Sequence, residues 1–285
     1  MKNIRMIVSD LDGTLLNRQR AISERTARVL RTAEARGIRV VLATGRFFRD
    51  VVPVAETAGI RPSFILMNGA EIRDADGNLQ AAINLAAADY RETMRMFRED
   101  GFTPEIYTSA GEFLCADEAT SLREMHLRMR IMHSGQAFSD TMLRALPRFR
   151  ARHYITDVED LPRADVTVRK VICFCEDTVR IAKWKRQLTA MPQVIGLSSS
   201  IYNLEVTDRT AQKGIILSDY IRREGIAPEE VIVFGDGEND LSLFERFPLS
   251  AAPENALPLI RERARFHIGH HDRDGVAAFI EEKIL

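Results

Sequence analysis

The sequence predicts an α/β protein: a parallel-sheet core with helices on both faces, and a second α/β domain inserted into it. Three observations carry this expectation. Short apolar, β-branched runs alternate with helical stretches in the first third of the chain and again in the last. Between them the rhythm changes. Acidic clusters follow two of the apolar runs, at residues 10–12 and 236–240, where an open α/β sheet binds ligands beyond its strand ends. A chain of 285 residues has room for two modest domains.

The first strand is expected at about 4–9, Ile4-Arg5-Met6-Ile7-Val8-Ser9. A helix follows at about 23–36, with Ser23 as its N-cap and Gly37 as its stop. Ile38–Ala43 reads as the second strand, a helix runs over about 46–58 to Gly59, and Phe64–Met67 forms the third strand. Strands alternating with helices imply parallel pairing and right-handed crossovers, a Rossmann-like core. Ala70–Arg73, Asp74-Ala75-Asp76-Gly77 and the extended run after it read as a hairpin. The middle of the chain has helical stretches at about 86–100, 118–132 and 177–190, and extended runs at about 102–107, 112–115 and 166–175. Residues 133–165 show little pattern. From about 201 the first rhythm returns: Tyr202–Val206 extended, a helix at 211–223, a strand at 231–234 and a helix from about 239. Short strands near 248–251 and 264–268 and a helix from 274 complete the sheet. The core is therefore assigned to 1–83 and 193–285, and the insertion to 84–192, with crossings near Leu85 and Met191–Pro192.

Composition bounds the function. The formal net charge is −1, so no global basic field recruits nucleic acid or anionic membrane. No apolar run approaches the roughly 20 residues that span a bilayer. The chain enters its first strand without a signal peptide, and its three cysteines form neither a disulfide framework nor a zinc pattern, so a cytoplasmic protein is expected. Cys173 and Cys175 alternate along a strand as apolar filler.

The chemistry lies at the strand ends. Asp10-Leu11-Asp12-Gly13-Thr14 puts two carboxylates on one face of an extended segment, and Gly13 lets the backbone turn sharply. Neighbouring carboxylates repel unless a cation holds them or one is protonated for a task. Gly235-Asp236-Gly237-Glu238-Asn239-Asp240 supplies a second cluster, and with no His or Cys nearby the oxygen donors favour a hard ion, Mg²⁺ first. An EF-hand loop is not the answer, because Thr14 and Leu15 stand where it needs an acid or Asn and a Gly. Ala43-Thr44-Gly45-Arg46 ends the second strand with a hydroxyl donor at a helix start. Lys213-Gly214 opens another helix; a lysine beside a carboxylate nucleophile holds it ionised and neutralises phosphate charge. Asn68-Gly69 ends the third strand, with Asn68 read as a turn former before a ligand.

These residues resemble the four motifs of the haloacid dehalogenase superfamily, and the whole chain resembles its Cof-type branch of sugar-phosphate phosphatases with a large α/β cap. Asp10-Leu11-Asp12-Gly13-Thr14 matches the first motif, Thr44 the second, Lys213 the third and Gly235–Asp240 the fourth. The resemblance implies a Mg²⁺-dependent phosphatase acting on a small phosphorylated metabolite. It makes Asp10 the nucleophile that becomes an aspartyl-phosphate, and Asp12 the acid and then the base. It implies that Mg²⁺ is held by Asp10, the Asp12 backbone carbonyl and Asp236. Thr44, Gly45 and Lys213 take phosphoryl oxygens, and Asn239, Asp240, Asn68 and Arg46 support them. One departure stands out: Ala252-Pro253-Glu254-Asn255-Ala256 replaces the Ala-Met-Gly-Asn-Ala of many relatives, which alters the loop rim.

Other readings compete. A phosphomutase shares Asp10 and Asp12 but must exclude water. A dehalogenase has no need of an acid at Asp12. A non-enzymatic phosphate- or metal-binding regulator would have lost Asp10 or Lys213. The substrate is open among sugar phosphates, flavin-type phosphates and pyridoxal phosphate, and the oligomeric state is open, with a homodimer allowed. His126 and His133, spaced seven apart among methionines, read as packing of the insertion, His270-His271 as an exposed pair, and Arg144, Arg148, Arg150 and Arg152 as a solvated face or a steering patch.

Overall fold

The computed structural model describes residue 1 and residues 3–132, 137–162 and 166–285. His133 lies outside the described residues. The chain forms two compact units, Met1–Ile83 with Thr210–Leu285, and Asn84–Arg209. The first unit opens with β1 (Met6–Ser9), α1 (Glu24–Ala35), β2 (Arg39–Ala43), α2 (Phe48–Ala58), β3 (Ser63–Leu66), β4 (Glu71–Arg73) and β5 (Leu79–Ala82). The second unit holds α3 (Ala87–Glu99), β6 (Glu105–Thr108), β7 (Gly111–Leu114), α4 (Glu118–Met132), α5 (Asp140–Ala145), α6 (Pro147–Arg150), β8 (Arg152–Tyr154), β9 (Val168–Phe174), α7 (Thr178–Thr189), β10 (Val194–Leu197) and β11 (Asn203–Asp208). The first unit resumes with α8 (Lys213–Arg223), β12 (Val231–Phe234), α9 (Leu241–Arg246), β13 (Leu249–Pro253), α10 (Pro258–Arg261), β14 (Phe266–Ile268) and α11 (Gly275–Lys283). Among the described residues no helix is long and apolar enough to cross a membrane.

The first unit is built on an eight-stranded sheet in the order β14-β13-β12-β1-β2-β3-β4-β5. The strands from β14 to β3 run parallel, and β4 and β5 add an antiparallel hairpin at the edge. β1 is flanked on both sides, Met6 pairing with Val231 and with Arg39, and all four of its residues are buried. That is why it reads as a continuous apolar run rather than an alternating one. Val233 joins Met6, Val8, Leu217 of α8 and Leu243 of α9 in one core. Phe234 points the other way and meets Phe279 of α11 edge-on at 5.7 Å, so helices cover both faces. Ser23 caps α1 by accepting the Thr26 N–H, and Gly59 closes α2 in the left-handed region.

The second unit has a six-stranded sheet in the order β10-β11-β9-β6-β7-β8. Pairing is antiparallel except between β7 and β8. One face is apolar: Ile106, Val171, Leu204 and Val206 pack with Phe97 of α3 and Trp184 of α7, and Cys173 and Cys175 belong to the same core. The residues that alternate with these carry charge into the other face. Glu105, Glu112, Arg152, Lys170 and Glu205 are all buried there. Arg152 Nε donates to Glu112 at 2.6 Å and its Nη2 to Glu105, Arg148 Nη2 donates to Glu105 at 2.7 Å, Arg128 reaches Glu105 at 3.1 Å, and Lys170 donates to Glu205 at 2.6 Å. Burial opposes an ionised Glu105, but Arg152, Arg148 and Arg128 outweigh it and hold the carboxyl well below its usual range. Glu112 is pushed up, by burial and by the neighbouring Glu105 charge.

Three expectations change. The core does not resume at 193: β10 and β11 pair in the second sheet, with Asn203 opposite Phe174 and Val206 opposite Val171, so the crossing lies at 209–210. Met191 packs against the second unit's core and Arg209 Nε donates to the Pro192 carbonyl at 2.6 Å, which places Met191–Pro192 inside that unit. Arg148 and Arg152 are not a solvated face, because they neutralise buried carboxylates; Arg144 and Arg150 are exposed. The weakly patterned stretch contains α5, α6 and β8.

Candidate active site

β1 and β12 are neighbours and parallel, so the residues leaving their C-terminal ends emerge side by side. Asp10 is the first residue past β1, and its N–H donates to the Phe234 carbonyl at 2.9 Å, which pins it to the end of β12. Lys213, the first residue of α8, is fully buried and donates from Nζ to Asp10 Oδ1 and to Asp240 Oδ1, both at 2.6 Å. The lysine reaches this depth because Gly214 lies flush on the first turn of α9. A Cβ there would stand 2.0 Å from the Ser242 carbonyl oxygen, and the Gly214 N–H donates to Ser242 Oγ at 2.9 Å. Asp240 Oδ2 accepts the N–H groups of Asp236 and Gly237, each at 3.0 Å, and so shapes the loop after β12. Gly13 sits at φ +86° with the position of its missing Cβ 2.4 Å from Asp236 Oδ2, and Thr14 donates to Asp236 Oδ1 at 2.8 Å. The two acidic loops thus interlock through backbone that only glycine can supply.

Carboxylate oxygens of Asp10, Asp236 and Asp240 lie within 4.8 Å of one another. Lys213 pairs with two of the three, Asp10 and Asp240, so with all three ionised this largely buried place carries two negative charges in excess. Burial raises the Asp10 pKa well above the ordinary carboxylate value, Asp240 and Asp236 add to it, and Lys213 opposes them. Burial and Asp240 push Asp236 up to about 7 against the Thr14 hydrogen bond. Burial disfavours the Lys213 ammonium, but Asp10 and Asp240 more than compensate and raise it. Oxygen-only donors with two uncompensated charges fit a hard divalent cation such as Mg²⁺.

Asp12 takes another path. β1 ends at Ser9 and the chain turns from Leu11, whose carbonyl accepts the Thr14 N–H at 3.3 Å, so the Asp10 and Asp12 carboxylates do not share one face of a strand as the spacing predicts. The Asp12 carboxylate stands outside the three-aspartate group and is held by Arg46, Nε to Oδ2 at 2.8 Å with Nη2 on Oδ1, and by Arg20 Nη2 at 3.1 Å. Burial works against its ionisation, but Arg46 and then Arg20 outweigh it and hold the carboxyl below its usual range.

The remaining expected residues line the neighbouring strand ends. Thr44 follows β2, is buried, donates its N–H to the Ile65 carbonyl and accepts the Arg46 N–H on its hydroxyl at 3.2 Å. Gly45 lies between them, and α2 begins only at Phe48. Asn68 is fully buried at φ +63°, where asparagine is tolerated, and its Oδ1 accepts Asn239 Nδ2 at 3.2 Å, tying the β3 end to the β12 loop. It is both turn former and tie. Gly69 lies against the start of α8, its missing Cβ 2.4 Å from the Gln212 carbonyl carbon. Asn255 donates to the Gly13 carbonyl at 2.7 Å, so the altered rim keeps its hold on the first motif, while Glu254 pairs outward with Arg273. His270 and His271 are half-buried rather than exposed, their rings 4.6 Å apart. Thr14, Ser242 and Arg20 were not foreseen. Thr14 sits inside the first motif, and nothing in the sequence marks Arg20.

Comparison with known proteins shows what the whole chain is similar to. The sequence pattern of haloacid dehalogenase-like hydrolases matches residues 7–280. The 5-amino-6-(5-phospho-D-ribitylamino)uracil phosphatase YwtE of Bacillus subtilis is 27% identical over 290 residues, covering 98% of each chain. An HMP-PP phosphatase of Yersinia pseudotuberculosis is 24% identical over 283 residues, covering 97% of this chain and 94% of the relative. A solved haloacid dehalogenase-like hydrolase from B. subtilis superposes with a TM-score of 0.84 at 26% identity, covering 99% of this chain and all of that one.

Proposed function

This chain belongs to the haloacid dehalogenase-like hydrolases, and on that footing we propose that it is a Mg²⁺-dependent phosphatase of small phosphorylated metabolites. The observation that carries the reading is the buried Asp10–Lys213–Asp240 group with Asp236 beside it, at the ends of adjacent parallel strands. The named activities of relatives that match nearly the whole chain support phosphate-ester hydrolysis and differ in substrate. The metal is assigned to Asp10, Asp236 and the Asp12 carbonyl; when bound it neutralises charge on the phosphoryl oxygens.

Asp10 attacks phosphorus, the bond to the ester oxygen breaks, and the departing oxygen takes from Asp12 the proton that Asp12 drew from water in the preceding turnover, against the arginines that favour its ionised form. Water then attacks the aspartyl-phosphate, gives its proton to Asp12, and phosphate leaves as Asp10 is restored. Lys213 opposes the burial and the neighbouring carboxylates that would protonate Asp10 and, with the Thr44 hydroxyl and the Gly45 backbone, binds phosphoryl oxygens. Asn239, Asn68 and Asp240 hold these groups in place. Most of the rate comes from this positioning and charge, because the transferring phosphoryl spreads its negative charge over three oxygens. We assign substrate discrimination to the unit Asn84–Arg209.

The test is phosphate release from an aryl phosphate with Mg²⁺ and with chelator. Asp10→Asn, which keeps the shape but removes the nucleophile, is expected to lower turnover by about 10⁴-fold or more. Activity within about tenfold of wild type would sink the mechanism. Stoichiometric release of free phosphate separates the phosphatase from a phosphomutase.

A further inference from the structure

We propose that Arg46 and Arg20 are positioning residues for Asp12, clamping its carboxylate from two sides so that one oxygen stays presented for proton transfer. This rests on the reading of Asp12 as proton carrier. The Asp12 side chain is 44% exposed and lies outside the Asp10 group, so the buried cluster does not orient it. The two arginines do. Arg46 uses Nε and Nη2, the coplanar edge of its guanidinium, to hold both oxygens, which fixes the carboxylate plane. Arg20 adds a second N–H to Oδ1 at 3.1 Å. Oδ1 therefore receives two donors and Oδ2 one. Each carboxylate oxygen has two acceptor sites, so Oδ2 is the oxygen left with capacity to carry a proton.

Both arginines are fixed by their own backbones. The Arg46 N–H donates to Thr44 Oγ1 and its carbonyl accepts the Met67 N–H at 3.2 Å, so it is anchored to the ends of β2 and β3. Its side chain is 19% exposed, against 40% for Arg20. Arg20 holds a left-handed backbone at φ +59°, in a turn closed by its N–H on the Asn17 carbonyl at 2.8 Å. That turn belongs to the same loop as the first motif, so its conformation and the aim of Asp12 are set together. In the first step the proton leaves Oδ2 for the ester oxygen as the phosphorus–oxygen bond breaks; in the second it returns from water. An acid that wanders by an ångström loses about 10²-fold in such a transfer.

The experiment compares kcat/KM for an alkyl phosphate and an aryl phosphate, since only the alkoxide needs the proton urgently. Arg46→Ala is expected to lower the alkyl value by about 10²-fold and the aryl value far less. Arg20→Ala, on an exposed loop, moves both in the same direction by smaller factors, and Arg46→Lys does not restore Arg46 function because an ammonium cannot span both oxygens. In an Asp12→Asn background neither alanine variant costs more than about twofold further, because a clamp with nothing to aim has no effect. Equal losses on both substrates, or a full loss persisting in the Asp12→Asn background, would overturn the proposal and make the arginines phosphoryl ligands or structural supports. Asp10→Asn in the same assay reports separately on the phosphatase reading.

Discussion

Asp236 and Asp10 both contribute to how the metal-free protein responds to pH. Burial and Asp240 carry Asp236 to about 7, and burial raises Asp10 as well. In the unfolded chain both titrate near about 4. Between those values the folded protein keeps protons that the unfolded chain has released. Their contribution to stability is fully present below about pH 4 and is lost as pH rises through about 7. A divalent cation binds the ionised form and reverses the trend. In chelator, the urea midpoint is expected to fall between about pH 5 and pH 8, and added Mg²⁺ to raise it more at the higher pH. An equal Mg²⁺ effect at both would contradict the site. Most of these residues were legible from the chain alone, because acids placed directly after buried strands can only emerge at one sheet edge. The clamp on Asp12 was not. It depends on the turn that begins at Leu11 rather than at Gly13 and on Arg20, which sits in an exposed, polar loop without a pattern.

At the level of elements, the second sheet shows what spacing cannot tell. β11 alternates Asn203, Leu204, Glu205, Val206, a pattern any half-buried strand could have, and nothing local says that its partner is β9 rather than a core strand. Hence the crossing was placed before β10 instead of after β11. The arginines at 148 and 152 posed the same problem. A charge run looks solvated until strand register sets Glu112 opposite Arg152 and the fold brings Glu105 within reach of Arg148 and Arg152. The structure turns this into a stability prediction. Arg152→Ala leaves two buried carboxylates short of a partner and should cost about 3–5 kcal/mol in urea unfolding of the second unit, whereas Arg150→Ala, on an exposed side chain, should cost under about 0.5 kcal/mol. An Arg152→Ala protein as stable as wild type would mean that the ion cluster is dispensable packing.

For the whole molecule, the fold class followed from the alternation of strand and helix around β1, β2, β3 and β12, because parallel pairing demands it. With the crossings at 83–84 and 209–210, the first unit contains its entire sheet and every residue assigned to chemistry. Joining 83 to 210 through a short Gly–Ser linker is expected to leave a folded, Mg²⁺-binding protein that hydrolyses a small aryl phosphate slowly. The differences in kcat/KM among metabolite phosphates should flatten, since discrimination is a difference of transition-state contacts. A capless protein that keeps the parent's ranking of substrates would refute this division of labour. The pairing of Met6 with Val231 has one further consequence, in the order of synthesis. As the chain leaves the ribosome, β1, β2 and β3 emerge early, yet β1 cannot gain its second neighbour until the whole of Asn84–Arg209 has been made. That segment is uninterrupted and can complete its own sheet in the meantime. Asp10 is therefore translated before the segment Asn84–Arg209, and Lys213, Asp236 and Asp240 after it. A message cut short before residue 231 leaves β1 without β12, β13 and β14 beside it, whatever the second unit has completed.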